Sequence, residues 1–356
     1  MAPSFVRPSV RQMDGYTPGE QPAFGERVVK LNTNENPFKP SDKVLAAIRE
    51  VEAEMLRRYP SPMADGFRAA AAKVHGVTPS MILAGNGSDD ILTIATRTFL
   101  NPGDTLAAPE PTYSLYPILA QLQDAKFVTV PWGLNYSLPT EALLATKPKA
   151  IYLANPNAPT GTMIPPTKMA ELAKAFHGLV LIDEAYVDFA DDNCLSLVKD
   201  YGNVVISRTF SKGYSLAGLR FGYAIAQPQV IAEMMKVKDS YNCDALSVIA
   251  ATAAILDQDH ARNSWNHVRE ERQRVTAELV QLGWSVLPSH ANFILAVCPD
   301  GRGREAYQGL KAQGILVRYF DKPGLTDKIR ITIGTSQENN ALIGGIKALT
   351  AAEKAA

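Results

Sequence analysis

The chain reads as an α/β protein, with a large unit built on a mainly parallel sheet between helices and a smaller α+β unit after it. Three observations predict this. From about residue 65 to about residue 240, short apolar runs alternate with helical stretches, and runs without polar alternation are the signature of strands buried on both faces. After about residue 240 the texture changes to longer helical patterns with fewer strand-like runs between them. The length of 356 residues suits about two domains, and 46% hydrophobic with 20% charged residues supplies a large core rather than a disordered chain.

Residues 1–40 carry Pro3, Pro8, Pro18, Pro22, Pro37 and Pro40 and read as an extended arm that packs with the smaller unit. The first helix is expected after Ser41, a residue suited to cap it, with Val44, Ile48, Val51 and Met55 at helical spacing. It is expected to run to Tyr59-Pro60, because the residue before proline avoids the helical region. Apolar runs at 81–84, 105–108, 126–130, 150–154, 179–182 and 204–207 are the expected strands of the large unit. Helical stretches near 89–100, 113–122, 166–176 and 229–238 separate them. The small unit should have helices near 244–256, 261–282, 303–313 and from 336, with strands near 284–287, 293–297, 315–318 and 329–333. The expected division is an arm over 1–40, a large unit over 41–240 and a small one over 241–356.

Composition narrows the function. Lys+Arg and Asp+Glu both number 36, a net charge of +0, which argues against nucleic acid or an acidic membrane as partner. Cys194, Cys243 and Cys298 are widely spaced, which suits neither a disulfide framework nor a zinc pair and points to a reducing cytoplasm. The 5 histidines show no metal-ligand spacing. No apolar run approaches the roughly 20 residues of a membrane span, and the N-terminus lacks an apolar signal core. Trp132, Trp265 and Trp284 read as packing residues.

Four stretches carry chemistry. In Thr209-Phe210-Ser211-Lys212-Gly213, followed by Arg220, an amine among hydroxyls with an arginine nearby suits a phosphorylated aldehyde, although an isolated Ser-Lys is more often a solvated loop. Asp183 follows an apolar strand at the edge where α/β sheets place ligands. It could pair with a protonated ring nitrogen, and a helix cap or a metal ligand is the alternative. Gly85-Asn86-Gly87-Ser88-Asp89 sits between strand and helix, where backbone N–H groups can approach an anion, or forms a plain tight turn. It lacks the spacing of a dinucleotide site or a P-loop. Asn155-Pro156-Asn157-Ala158-Pro159-Thr160-Gly161 reads, taken alone, as a structural turn.

In this order the stretches closely resemble the pyridoxal-phosphate aminotransferases of the aspartate-aminotransferase fold, and among them the histidinol-phosphate branch. The resemblance runs from Leu31-Asn32-Thr33-Asn34-Glu35-Asn36-Pro37 to Ile329-Arg330-Ile331-Thr332-Ile333. It implies a seven-stranded type of sheet and pyridoxal 5'-phosphate as cofactor. Lys212 would be the Schiff-base lysine, Asp183 the partner of the pyridine nitrogen, and Tyr186 the tyrosine near the phenolic oxygen. Ser88, Asp89, Thr209, Ser211 and Arg220 match the phosphate cradle, and Tyr113 the aromatic residue stacked on the ring. Tyr59 matches a tyrosine that crosses a homodimer interface to the partner's cofactor phosphate. Arg330 matches the arginine for the substrate's acidic group, with Tyr16 and Arg318 as further phosphate contacts. One departure stands out. The family usually has Asn before Pro-Thr-Gly, donating to the phenolic oxygen, whereas this chain has Ala158, so Asn157 is the expected substitute.

The implied reaction exchanges an amine between a small-molecule donor and an oxo acid, with histidinol phosphate as donor and 2-oxoglutarate as acceptor, in histidine biosynthesis. Aromatic amino acids are an alternative donor, and decarboxylation of threonine phosphate is an alternative reaction on nearly the same motifs. Other classes are a ligand-sensing binding protein, opposed by the intact Lys212, Asp183 and Arg220, and a nicotinamide dehydrogenase, opposed by the missing GxGxxG.

Overall fold

The structure is a computed structural model and describes residues 5–17, 19–23, 25 and 27–355, with side chains described as far as 350. Pro3 and Pro18 of the arm lie outside the described residues. A seven-stranded sheet forms the centre, in the order Ile82–Gly85, Gly222–Ala226, Val204–Thr209, Leu179–Asp183, Ala150–Ala154, Thr105–Glu110, Lys126–Pro131. Gly222–Ala226 runs antiparallel to both of its neighbours, and the pairings from Val204–Thr209 to Lys126–Pro131 are parallel.

Burial on both faces explains the missing polar alternation. Along Leu179–Asp183, Val180 and Ile182 join a core that also holds Phe67, Ile151 and Phe210. The alternate residues Leu179 and Leu181 join a second core with Ile91, Tyr116 and Tyr152. Successive side chains point to opposite faces, so a strand with apolar residues at every position requires a packed layer on each side.

The expected elements of this sheet are present, and two others were not anticipated. Gly222–Ala226 is an apolar run directly behind the lysine loop, and Thr140–Ala145 is a short helix. The first helix is shorter than expected. Ser41 does cap it, its side chain accepting from the Lys43 N–H, but it ends at Arg49. A separate turn of helix, Ala53–Arg57, follows an extended Glu52. Met55 and Leu56 are exposed, so the helical spacing of 44–55 does not describe one buried face. The run at 315–318 is two strands that serve different sheets. Ile315–Leu316 pairs in parallel with Val29–Lys30, and Arg318–Tyr319 pairs antiparallel with Lys328–Thr332.

The second sheet has the order Arg318–Tyr319, Lys328–Thr332, Phe293–Val297, Ser285–Val286. Helix Gln258–Gln281 covers it through Val268, Val275 and Leu279. Helix Ala245–Leu256 belongs elsewhere. Its Ala250, Ala251, Ala254 and Ile255 pack in the core of the large sheet, against helices Asp42–Arg49 and Asp65–His75. We propose that the two units divide within Gln258–Gln281 rather than at residue 241. The arm touches both: Val29 and Leu31 are bonded to the small unit, while Arg7 reaches Leu122 O and Asp124 at the end of a large-unit helix.

One buried histidine gives this core a pH dependence. His75 Nε2 lies 2.8 Å from Tyr223 OH, and burial, assisted by the Arg208 charge, lowers its pKa to about 3. The unfolded chain protonates this group near its ordinary value of about 6.5. The stability contributed by neutral His75 is therefore present above that pH and is lost as pH falls toward the folded pKa. Denaturant unfolding at about pH 7.5 and about pH 5 should show a larger loss for the wild type than for His75→Gln, which cannot titrate.

Candidate active site

Parallel strands deliver their last residues to one edge, and the functional side chains gather there. Asp183 ends its strand in register with Ala154 on one side and Ser207 on the other. It is 4% exposed. Its Oδ2 accepts from Tyr116 OH at 3.1 Å and its Oδ1 from the Ala185 N–H at 3.2 Å. Burial raises its pKa to about 7, against the lowering effect of the Tyr116 hydrogen bond. Lys212 follows the next strand. Its Nζ donates to Thr33 O at 3.0 Å and lies 5.9 Å from the centre of the Tyr186 ring. Burial lowers its pKa to about 8, the Arg330 charge acts in the same direction, and Glu35 opposes both. Asp183, Lys212 and Tyr186 line one cavity.

One side of that cavity is shaped for an anion. Helix Ser88–Phe99 starts at Gly87, with φ +87° and no side-chain cap, which leaves first-turn N–H groups for a ligand. Ser88, Asp89, Thr209, Ser211 and Arg220 all line the cavity. Arg220 donates to Ser211 Oγ at 3.0 Å and to Ala217 O at 3.2 Å, and its Nη2 lies 3.5 Å from Asp89 Oδ2. The Asp89 carboxylate also accepts from Tyr113 OH at 3.2 Å. A carboxylate repels a phosphate, so Asp89 serves an anion through its backbone and by orienting Arg220 and Tyr113. Gly222 lies underneath: a Cβ there would sit 2.4 Å from Ser88 N and 2.6 Å from Gly87 C.

Two further cations, Arg330 and Arg318, line the same cavity. Arg330 Nη2 donates to Asn32 O at 3.1 Å, and its guanidinium lies 5.2 Å from the Phe293 ring centre and 5.4 Å from that of Phe320. Arg330 Nε is buried without a partner. Arg318 donates to Thr17 O at 3.4 Å and lies over the same Phe320 ring. Tyr16 meets Tyr113 edge to face, with ring centres 6.3 Å apart. All three line the cavity.

Two expected site residues stand apart from it. Asn157 does not line the cavity. Its Nδ2 donates to Pro111 O at 3.1 Å and to Thr160 Oγ1 at 2.8 Å, so both amide protons are already used and it does not replace the missing family Asn. Ala158 lines the cavity instead. Tyr59 is 79% exposed and stacks on Tyr241 at 4.3 Å. Other site residues were missed by sequence reasoning. Tyr116, which holds Asp183, lies three positions after Tyr113, and that spacing was the available signal. Asn32, Thr33, Asn34 and Phe320 also line the cavity, and for these side chains no single stretch announced a role.

These residues fit pyridoxal phosphate. A glycine-capped helix end with hydroxyls and Arg220 suits its phosphate, and a buried carboxylate with one donor on each oxygen has lone pairs left for a ring nitrogen. A desolvated amine suits its aldehyde, and the Arg330 guanidinium on the cavity wall suits an acidic group. Among the described residues there is no His/Cys/Asp/Glu group that could hold a metal. No helix of the described residues is long and apolar enough to cross a membrane.

Residues 26–346 match the family aminotransferase class I and II. The chain is 44% identical to histidinol-phosphate aminotransferase 1 of Trichormus variabilis, over 97% of this chain and 99% of that one. It is 45% identical to histidinol-phosphate aminotransferase of Rhodopirellula baltica, over 94% and 93%. A solved structure of histidinol-phosphate aminotransferase from Sinorhizobium meliloti, in complex with pyridoxal-5'-phosphate, superposes with a TM-score of 0.89 at 28% identity, over 98% of this chain and 99% of that one.

The environment of Lys212 can be tested on the cofactor-free protein. Reductive methylation of Lys212, followed by peptide mass spectrometry, should rise with a midpoint near pH 8, the pKa set by its burial. Arg330→Gln removes a like charge and should move that midpoint upward.

Proposed function

The chain belongs to the aminotransferase class I and II family, and we propose that it transaminates histidinol phosphate with 2-oxoglutarate as acceptor, using pyridoxal 5'-phosphate, in histidine biosynthesis. The observation that carries this reading is a single cavity with a buried Lys212–Asp183 pair and two separate sets of cations. Two phosphates, one on the cofactor and one on the substrate, need two such sets. The names of the relatives at 44–45% identity support the same substrate.

When bound, pyridoxal phosphate supplies an aldehyde carbon for amines and a ring that accepts an electron pair. Lys212 Nζ would hold the cofactor, and as a desolvated amine it would be the base that takes the proton from the substrate carbon bearing the amine. A pKa of about 8 keeps a useful fraction of Nζ neutral near pH 7. Asp183 is poised near 7, so a cation placed beside it ionises it fully, and the resulting carboxylate keeps a ring nitrogen protonated. Ser88, Thr209, Ser211 and Arg220 would hold the cofactor phosphate, and Tyr113 would flank its ring. Arg330, Arg318 and Tyr16 take the substrate phosphate in one half-reaction and an oxo-acid carboxylate in the other.

A homodimer completes this reading. Tyr59 is too exposed for a residue of its own site, and its exposure, with that of Met55 and Leu56 shortly before it, supports a reach to a partner's cofactor phosphate. A cytoplasmic location agrees with the biosynthetic role.

Steady-state assays with histidinol phosphate, phenylalanine and threonine phosphate discriminate the substrates. A kcat/KM for histidinol phosphate on the order of a hundredfold above the others is expected. Turnover of phenylalanine at equal efficiency, or release of carbon dioxide from threonine phosphate, would replace the proposed substrate. Lys212→Ala should lose turnover and the visible absorbance of the lysine-linked cofactor. Arg330→Ala should lower kcat/KM by about 2–5 kcal/mol of transition-state binding. Mixing Lys212→Ala with Tyr59→Ala should restore activity that neither has alone if Tyr59 serves the partner's site.

A further inference from the structure

We propose that Asn34 is a positioning residue that sets the direction of the Tyr186 hydroxyl, so that Tyr186 must donate its proton into the cavity and stands as the remaining side-chain donor where Ala158 supplies none. This rests on the cofactor reading above.

The direction follows from one donor that cannot be reversed. The backbone N–H of Asn34 donates to Thr332 Oγ1 at 3.0 Å. Thr332 keeps its own proton to give, and Asn34 Oδ1 receives it at 3.1 Å. The oxygen of the Asn34 amide is thereby committed to Thr332, and its Nδ2 is left to donate to Tyr186 OH at 3.0 Å. Amide orientation is ordinarily assigned from the surrounding network, and here the backbone N–H decides it. The Tyr186 oxygen is thus an acceptor toward Asn34, and its proton has to point elsewhere. Among the described residues no acceptor takes it.

Asn34 is held rigidly enough to impose this. It is 1% exposed and adopts a left-handed backbone, φ 56°, a conformation Asn tolerates better than most residues. Its carbonyl accepts from Asn292 Nδ2 at 2.9 Å, and Asn292 is fully buried. Ala158, Tyr186 and Phe293 pack in one cluster, and both Ala158 and Tyr186 line the cavity. The Tyr186 ring and the methyl that stands for the family's amide therefore belong to one cluster on the cavity wall. One directed donor remains where the family pattern has two.

The test reads the acidity of the lysine-linked cofactor, not activity. The visible absorbance of the wild-type holoenzyme is titrated with pH, beside Asn34→Ala, Thr332→Val and Thr332→Ser. A donor to the phenolic oxygen favours the deprotonated linkage, so losing its direction should raise the pKa. Thr332→Val frees the Asn34 amide to flip and accept the Tyr186 proton, and a rise of about one pH unit, a tenfold change, is expected. Asn34→Ala should raise the pKa less, and Thr332→Ser, which keeps the hydroxyl, should leave it in place. In a Tyr186→Phe background neither Asn34→Ala nor Thr332→Val should shift it further. An unmoved pKa in Asn34→Ala and Thr332→Val, with cofactor bound, overturns the role of Asn34, as does a shift that persists in the Tyr186→Phe background. A wild type with no such absorbance overturns the cofactor reading itself.

Discussion

Two ionisable side chains held out of water at one sheet edge are the constraint around which the molecule is arranged. Burial pushes Asp183 up to about 7 and Lys212 down to about 8, so each is driven toward its neutral form by the place it occupies. Desolvated groups of this kind cost stability, and a rigid support is needed to hold them. The support is the middle of the seven-stranded sheet, packed on both faces. Two neighbours each answer one electrostatic need of this pair: Tyr116 donates to Asp183, and Thr33 O accepts from Lys212.

Six of the seven strands of the large sheet were legible because its inner strands are apolar at nearly every position, a pattern that few other elements produce; Gly222–Ala226 was not. Lys212, Asp183 and Arg220 were legible because each sits beside residue types that its chemistry requires. Less was readable where function depends on contacts between distant segments. Tyr116 reads as helix packing until the structure shows its hydroxyl on Asp183. Asn157 looked like the natural substitute for a missing amide, being adjacent, but adjacent residues in an extended turn point in different directions and its protons are used elsewhere. The helix expected to reach Tyr59 failed for a related reason. Spacing alone did not reveal that Met55 faces outward.

The arm and the small sheet are tied together at residues 29–34. Val29–Lys30 pairs with Ile315–Leu316, Leu31 N donates to Leu316 O at 2.8 Å and Leu31 O accepts from Thr332 N at 2.9 Å. This stitching brings Asn32, Thr33 and Asn34 to the cavity in succession, against Arg330, Lys212 and Tyr186 respectively. Strand Lys328–Thr332 presents Arg330 and Thr332 two residues apart, so one strand supports both a cavity cation and the hydroxyl bonded to Asn34.

The reversed strand Gly222–Ala226 has a consequence for how the site comes into being. Thr209 pairs directly with Gly222, so Ser211, Lys212 and Arg220 lie on one short loop clamped at both ends by hydrogen-bonded neighbours. Closing so short a loop costs little chain entropy, and the lysine and its neighbouring arginine are brought together as soon as those two strands pair. Tyr16, Arg318 and Arg330 come from chain segments some 300 residues apart in the sequence, contacts of the kind that form late and slowly. The lysine loop is thus a local product of the chain, whereas the pocket it closes, with Asp89 lying 131 residues before Arg220, is a product of its whole length. Sequence drift in the arm or the last strands therefore reaches the lysine as well, because Thr33 and Arg330 both act on Lys212.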